Sequence, residues 1–169
     1  MKKKAIILVG ILIISSIFMI SAGANYSQTI SQNQCLGKGP GVTAADTFFV
    51  FTDVPKRPVG DGTLTVSVLG DYDSNLEYID VIVEGTTIGR WVPGTQCPVS
   101  LLTKTFTVTQ SQLLQWASDG KVEVTLVQGP DVNCFCSTNT NNVTLEYTGV
   151  NNSLPMNWII KKFGLGKEK

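Results

Sequence analysis

The sequence contains no histidine. That removes the side chain that most often serves as general base, activates Ser and Cys nucleophiles and ligates zinc. The serines lie in no nucleophile motif, and the four cysteines (Cys35, Cys97, Cys134 and Cys136) form no pair of C-x-x-C knuckles, so a zinc cluster is not expected either. Charge is also scarce: Asp, Glu, Lys and Arg make up 15% of the chain and sum to a formal net charge of zero. With no basic surplus, nucleic acid is not the expected partner. Together these absences point away from an enzyme.

What is present begins with an address. Lys2, Lys3 and Lys4 precede an apolar run from Ala5 to Ile20, and Ala22-Gly23-Ala24 closes it with small residues, so residues 1–24 read as an export signal cleaved after Ala24. The stretch from Ala5 to Ala24 is also long enough to span a bilayer if retained, which leaves secreted and surface-anchored locations both open. Cys35 lies too far past Ala24 for a lipoprotein anchor. Loss of the three lysines leaves ten basic residues (13 less 3) against 13 acidic ones, a mildly acidic mature chain. Its length suits one domain with a core. Residues 25–41 are polar and without period, with order expected only around Cys35. Residues 42–149 form the expected domain, and residues 150–169 a basic amphipathic tail.

Within the domain the dominant signal is period two, the mark of strands with one buried face. Thr63 to Val68 places Leu64, Val66 and Val68 on one side and hydroxyls on the other. Glu77 to Glu84, Thr105 to Val108, Lys121 to Leu126 and Val143 to Tyr147 repeat the alternation, and Thr47 to Thr52 and Ile88 to Val92 follow it less regularly. The expected fold is all-β: an antiparallel two-sheet sandwich of jelly-roll or Greek-key type, with about seven strands. One segment breaks the period. Thr109-Gln110-Ser111-Gln112 fits a capping box, Leu113, Leu114 and Trp116 give an apolar side, and Asp119-Gly120 supplies a stop, so a two-turn helix is expected to cover one end of the core.

Disulfides are expected outside the cell. Cys134 and Cys136 are too close in an extended chain to bridge each other, so each reaches a distant partner. The arrangement Cys97–Cys136 with Cys35–Cys134 is preferred, and the crossed alternative stays open.

The stretch Gly70 to Glu77, GDYDSNLE, carries three carboxylates. Asp71, Asp73 and Asn75 alternate in the way tight loops aim oxygen ligands at calcium, although Leu76 and Ile82 stand where an EF-hand requires Gly and Glu. Glu77 shares parity with Ile79, Val81 and Val83, so its side chain starts on the core face. It therefore pairs with Arg90 or backbone N–H groups, completes a calcium site with Asp71, Asp73 and Asn75, or escapes to the wet rim. Tyr72, in the acidic turn, and Trp91, just before Pro93-Gly94, are candidates to stack on a sugar ring, Tyr72 being the better exposed. In the tail, Pro155 can start a helix, and Trp158, Ile159 and Ile160 followed by Lys161 and Lys162 suit a membrane surface or a partner; the plainer alternative is a tail folded back on the domain. Three N-x-S/T sequons, at Asn25, Asn142 and Asn151, matter only in a host that glycosylates secreted chains.

The order GDYDSNLEYIDVIVEGTTIGRW, a QC loop, TKTFTVT, a short helix, DGKVEVTL, then FC and VTLEY resembles a β-sandwich module that recurs in large secreted bacterial adhesin-like proteins, over Gly70 to Tyr147. The resemblance implies a Cys97–Cys136 bridge and a non-catalytic extracellular role. A fainter likeness, to CUB domains, runs through Glu77 to Val81 and Gly85 to Trp91, and implies calcium held by acidic loops and protein ligands. The expected function is an extracellular binding module for a glycan or surface protein, with calcium as its possible cofactor. The alternative is a structural component of a surface assembly.

Overall fold

Alternation sets which residues face inward, and strand pairing then closes the two sheets. The computed structural model describes residues 23–150 except 36, 38 and 40. Most of the export signal, and the tail with Trp158, Ile159, Ile160, Lys161 and Lys162, lie outside the described residues.

The strands are β1 (Ala24–Asn33), β2 (Thr47–Thr52), β3 (Arg57–Pro58), β4 (Gly62–Leu69), β5 (Asp71–Tyr72), β6 (Ile79–Val83), β7 (Thr86–Trp91), β8 (Thr95–Gln96), β9 (Leu102–Val108), β10 (Lys121–Gln128) and β11 (Thr140–Val150). One sheet has the order β1-β11-β4-β9, with β3 beside β11; the other has the order β2-β10-β6-β7; β5 and β8 form a short ribbon. The pairings are antiparallel. Renumbered along the chain, the eight long strands lie as 1-8-3-6 facing 2-7-4-5, which is the jelly-roll arrangement of two interlocked Greek keys.

The inner face of the first sheet contributes Leu64, Val66, Val68, Val143 and Leu145, and that of the second Phe49, Phe51, Ile79, Val81, Val83, Val122, Val124 and Leu126, all buried. Each such side chain stabilises the fold by roughly 1.5–3 kcal/mol relative to exposure. The helix α1 (Gln110–Trp116) forms as the capping box requires: Gln112 N donates to Thr109 Oγ1 at 3.4 Å, and Thr109 N donates to Gln112 Oε1 at 2.9 Å. A 3₁₀ turn over Ala117–Asp119 follows and ends at Gly120, whose φ of 92° a side chain would resist. Leu113 and Trp116 are buried as the lid, whereas Leu114, expected on the same apolar side, is 47% exposed. A seven-residue helix offers only a narrow buried stripe, and Leu114 lies off it.

The N-terminal flank requires a correction. Residues 25–41 were expected to be ordered only around Cys35, yet β1 occupies Ala24–Asn33 and pairs residue for residue with β11, from Ala24–Gly149 to Asn33–Thr140. Its inward positions Tyr26, Gln28, Ile30 and Gln32 are half-buried and half of them are amides, so the hydrophobic alternation is muted at an edge position. This strand takes the first position of the jelly roll and brings its long strands to eight. The cysteines pair as Cys35–Cys134 and Cys97–Cys136, the preferred of the two arrangements, and tie the loops at the end of the sandwich beyond Leu69.

Candidate functional site

The acidic stretch leaves the end of β4 at Gly70, where a Cβ would come within 2.6 Å of Gln34 Nε2 and 2.9 Å of the Tyr72 ring. Only glycine lets the chain pass there. Asp71 and Tyr72 then pair with Gln96 and Thr95, and Cys97 N donates to Gly70 O at 3.1 Å, so the ribbon is anchored beside the Cys97–Cys136 bridge. The turn closes reciprocally: Glu77 N donates to Ser74 O at 3.1 Å, and Ser74 N donates to Glu77 Oε2 at 2.7 Å. Beyond it, Gly129 N donates to Tyr78 O at 2.7 Å, and the lack of a side chain at Gly129 admits the Leu76 carbonyl. A third loop arrives from the cysteine region, where Asn133 Nδ2 donates to Asp71 Oδ2 at 2.7 Å.

These restraints bring Asp71, Asp73 and Glu77 together. Each offers a carboxylate oxygen, and the three oxygens lie within 4.8 Å of one another. Asp71 and Glu77 are buried and Asp73 is exposed. Among the described residues, Asp71 Oδ1 and Ser74 Oγ are buried without a hydrogen-bond partner. A buried carboxylate oxygen with no donor carries a desolvation cost that a cation would offset. Burial pushes the Glu77 carboxyl above its usual pKa; the Ser74 N–H works against this, and the neighbouring Asp73 and Asp71 add to it. The donor set is all oxygen, as hard cations such as calcium require. Asn75, the fourth expected ligand, is exposed on the same turn.

Arg90 does not serve Glu77. It donates to both oxygens of Asp80 at 2.7 Å and lies 3.6 Å above the Tyr78 ring. Parity explains this: Asp80 and Arg90 are cross-strand partners on the outer face, whereas Glu77 points inward.

Tyr72 also requires correction. Expected as an exposed stacking residue, it is fully buried, with its hydroxyl 2.9 Å from Gln34 Oε1 and 3.1 Å from Gln128 Oε1. The phenol has one hydrogen for two acceptors; with the Gln128 amide turned over, its otherwise unpartnered Nε2 donates to the same oxygen. Trp91 is partly buried against the core at the end of β7, opposite Ile79. The aromatic ring that does stand out at this end is Phe135, 60% exposed. Its N–H donates to Asn133 Oδ1 at 2.9 Å, so one asparagine joins it to Asp71. Neither Phe135 nor Asn133 sits in a periodic segment, and the Cys134-Phe135-Cys136 spacing was the only local hint.

At the opposite end of the first sheet, an open groove of about 460 Å³ runs over Ser27, Asp61, Thr63, Thr107, Glu146 and Thr148. Its two carboxylates already accept bonds, Asp61 from Gln110 N and Glu146 from Ser27 Oγ, both at 2.8 Å.

No protein-family model matches the sequence, and no curated protein matches it. Among solved structures, the fold is similar to a family 35 carbohydrate-binding module from an environmental isolate, at 12% identity and a TM-score of 0.42, over 75% of this chain and 88% of that one. It is similar to the carbohydrate-binding module CBM36 in complex with calcium and xylotriose, at 13% identity and a TM-score of 0.33, over 76% and 92%. It is also similar to part of an uncharacterized Listeria monocytogenes protein crystallised with glucose, magnesium and calcium, at 15% identity and a TM-score of 0.40, over 74% of this chain; this chain spans 11% of that one. Overlaps of this quality assign no ligand to the present chain.

Proposed function

We propose that this chain is a non-catalytic module that binds glycans outside the cell, with calcium held at the rim by Asp71, Asp73 and Glu77. The observation that carries the reading is Asp71 Oδ1, buried and, among the described residues, unpartnered, in a trio of residues whose carboxylate oxygens lie no more than 4.8 Å apart. Asp71 and Glu77 would hold the ion from the inner side, and Asp73, with Asn75, from the solvent side. When bound, calcium supplies a charge whose remaining coordination positions accept neutral oxygens such as sugar hydroxyls. Asn133 fixes the Asp71 carboxylate, and Ser74 N fixes that of Glu77, so both ligands are held before any ion arrives. Phe135 offers an exposed face on which an apolar sugar face can stack. The crowding of the carboxylates fits binding better than glycoside hydrolysis, which needs an acid and its partner about 5–10 Å apart across a cleft.

The test is calorimetric titration of chelated protein, first with calcium chloride and then with xylo-, cello- and chito-oligosaccharides. The expected result is one calcium per chain and a glycan affinity that disappears in chelator. Phe135→Ala should lose glycan affinity while its calcium isotherm stays unchanged. Flat calcium and glycan traces would remove the proposal.

A further inference from the structure

Each sheet of the sandwich ends in strands with unpaired backbone groups, and such edges are usually blunted by charge, shortness, proline or a bulge. Three of the four edges are defended in this way. Strand β9 turns Lys104 toward the sandwich side, opposite Val66. Strand β7 is broken by a register shift at Val81/Ile82 and carries Arg90. Strand β2 has only six residues, between Asp46 and Asp53. Strand β1 has none of these devices: it runs ten residues, ANYSQTISQN, without a charged side chain, proline or register shift against β11, and among the described residues nothing pairs with its other edge.

Its sequence is also self-complementary. The outward-facing residues read Asn25, Ser27, Thr29, Ser31, Asn33, which is the same in either direction about Thr29. We propose that β1 pairs antiparallel with β1 of a second copy of this chain, centred on Thr29, to join the two sheets that end in β1 into one continuous sheet. A two-fold axis through Thr29 sets Ser27 against Ser31 of the second copy and Asn25 against Asn33, so hydroxyls meet hydroxyls and amides meet amides. The absence of charge on β1 means no like charges meet at the axis. The outer face continues the same chemistry inward: Thr29, Thr144, Thr65 and Thr105 form one row across the four strands. Their hydroxyls are bonded in pairs, Thr29 with Thr144 at 2.8 Å and Thr65 with Thr105 at 3.2 Å. The dimer would extend this row unbroken across the axis. One strand pair buries a small area, so association is expected to be concentration-dependent.

The register is testable by cysteine scanning of the full chain made in an exporting host. Directly opposed antiparallel residues have Cα atoms about 4.5–5.5 Å apart, within disulfide reach. Thr29→Cys should therefore give a covalent dimer on a non-reducing gel. Ser27→Cys alone should not, because two copies of residue 27 lie four positions apart, about 13 Å, whereas Ser27→Cys mixed with Ser31→Cys should. Failure of Thr29→Cys to crosslink, or equal crosslinking of Thr29→Cys and Ser27→Cys, overturns the proposal. Sedimentation velocity gives a second reading: wild type should pass from monomer to dimer with concentration, and Thr29→Lys, with an unchanged melting curve, should stay monomeric. A wild type that is monomeric throughout, or a dimer that Thr29→Lys leaves intact, overturns it equally.

Discussion

Replacing Asp71 by Asn should change the sign of its effect on stability when calcium is added. In chelator, the wild-type cluster sets like charges within 4.8 Å. At that separation a pair repels by about 3.5 kcal/mol at an effective dielectric of about 20 and by about 1 kcal/mol in a water-like one. Asp73 is exposed and its charge is screened by solvent, so the lower figure is the better guide. Asparagine at position 71 can still accept from Asn133 Nδ2 through its oxygen and would present an amide donor where Asp71 Oδ1 is unpartnered. Asp71→Asn should therefore be as stable as wild type in chelator, or more stable by about 1 kcal/mol. With calcium at one hundred times its dissociation constant, wild type gains about 2.7 kcal/mol by linkage. At roughly 4 °C per kcal/mol for a domain of this size, its melting temperature rises by roughly 10 °C. The variant should gain little of this, so the order of the two melting curves inverts. The assay is thermal unfolding followed by circular dichroism, in EDTA and in calcium, for both proteins. A wild type indifferent to calcium, or an Asp71→Asn variant that is less stable in EDTA, would refute the reasoning.

Other consequences follow from the same loops. Tyr72→Phe leaves Gln34 Oε1 without its buried donor and should cost about 1–3 kcal/mol in denaturant titration, without weakening glycan binding as loss of a stacking platform would. Opening Cys97–Cys136, with a sequence separation of 39, should cost about 4 kcal/mol, and opening Cys35–Cys134, with a separation of 99, about 5 kcal/mol on the chain-entropy scale, as Cys-to-Ser pair variants would show. The Glu77 carboxyl has a raised pKa in the folded state, so its contribution is fully present below the ordinary glutamate value and is lost as pH rises through the folded value. Melting temperature in EDTA should therefore decline across that window, and Glu77→Gln should flatten the decline.

The sequence by itself determined the elements whose cause is local. The seven strands expected from alternation correspond to β2, β4, β6, β7, β9, β10 and β11, and the Thr109 capping box forms around α1. Parity alone placed Glu77 on the buried side, because side-chain direction in a strand depends only on counting residues. The tertiary structure decided whatever depends on contacts distant in sequence. Strand β1, with amides on its half-buried face, is a strand because β11, more than a hundred residues later, satisfies its backbone. Tyr72 looks like a turn residue until β8, Gln34 and Gln128 close over it. Arg90 was within reach of two acids, and the β6–β7 register gave it to Asp80. The spacing of Asp71, Asp73 and Asn75 named the turn, but that Asp71 Oδ1 is buried and, among the described residues, unpartnered depends on loops distant in sequence, one of which brings Asn133 onto Asp71 Oδ2. Period and parity are written along the chain, whereas burial of a polar atom is a property of everything packed around it.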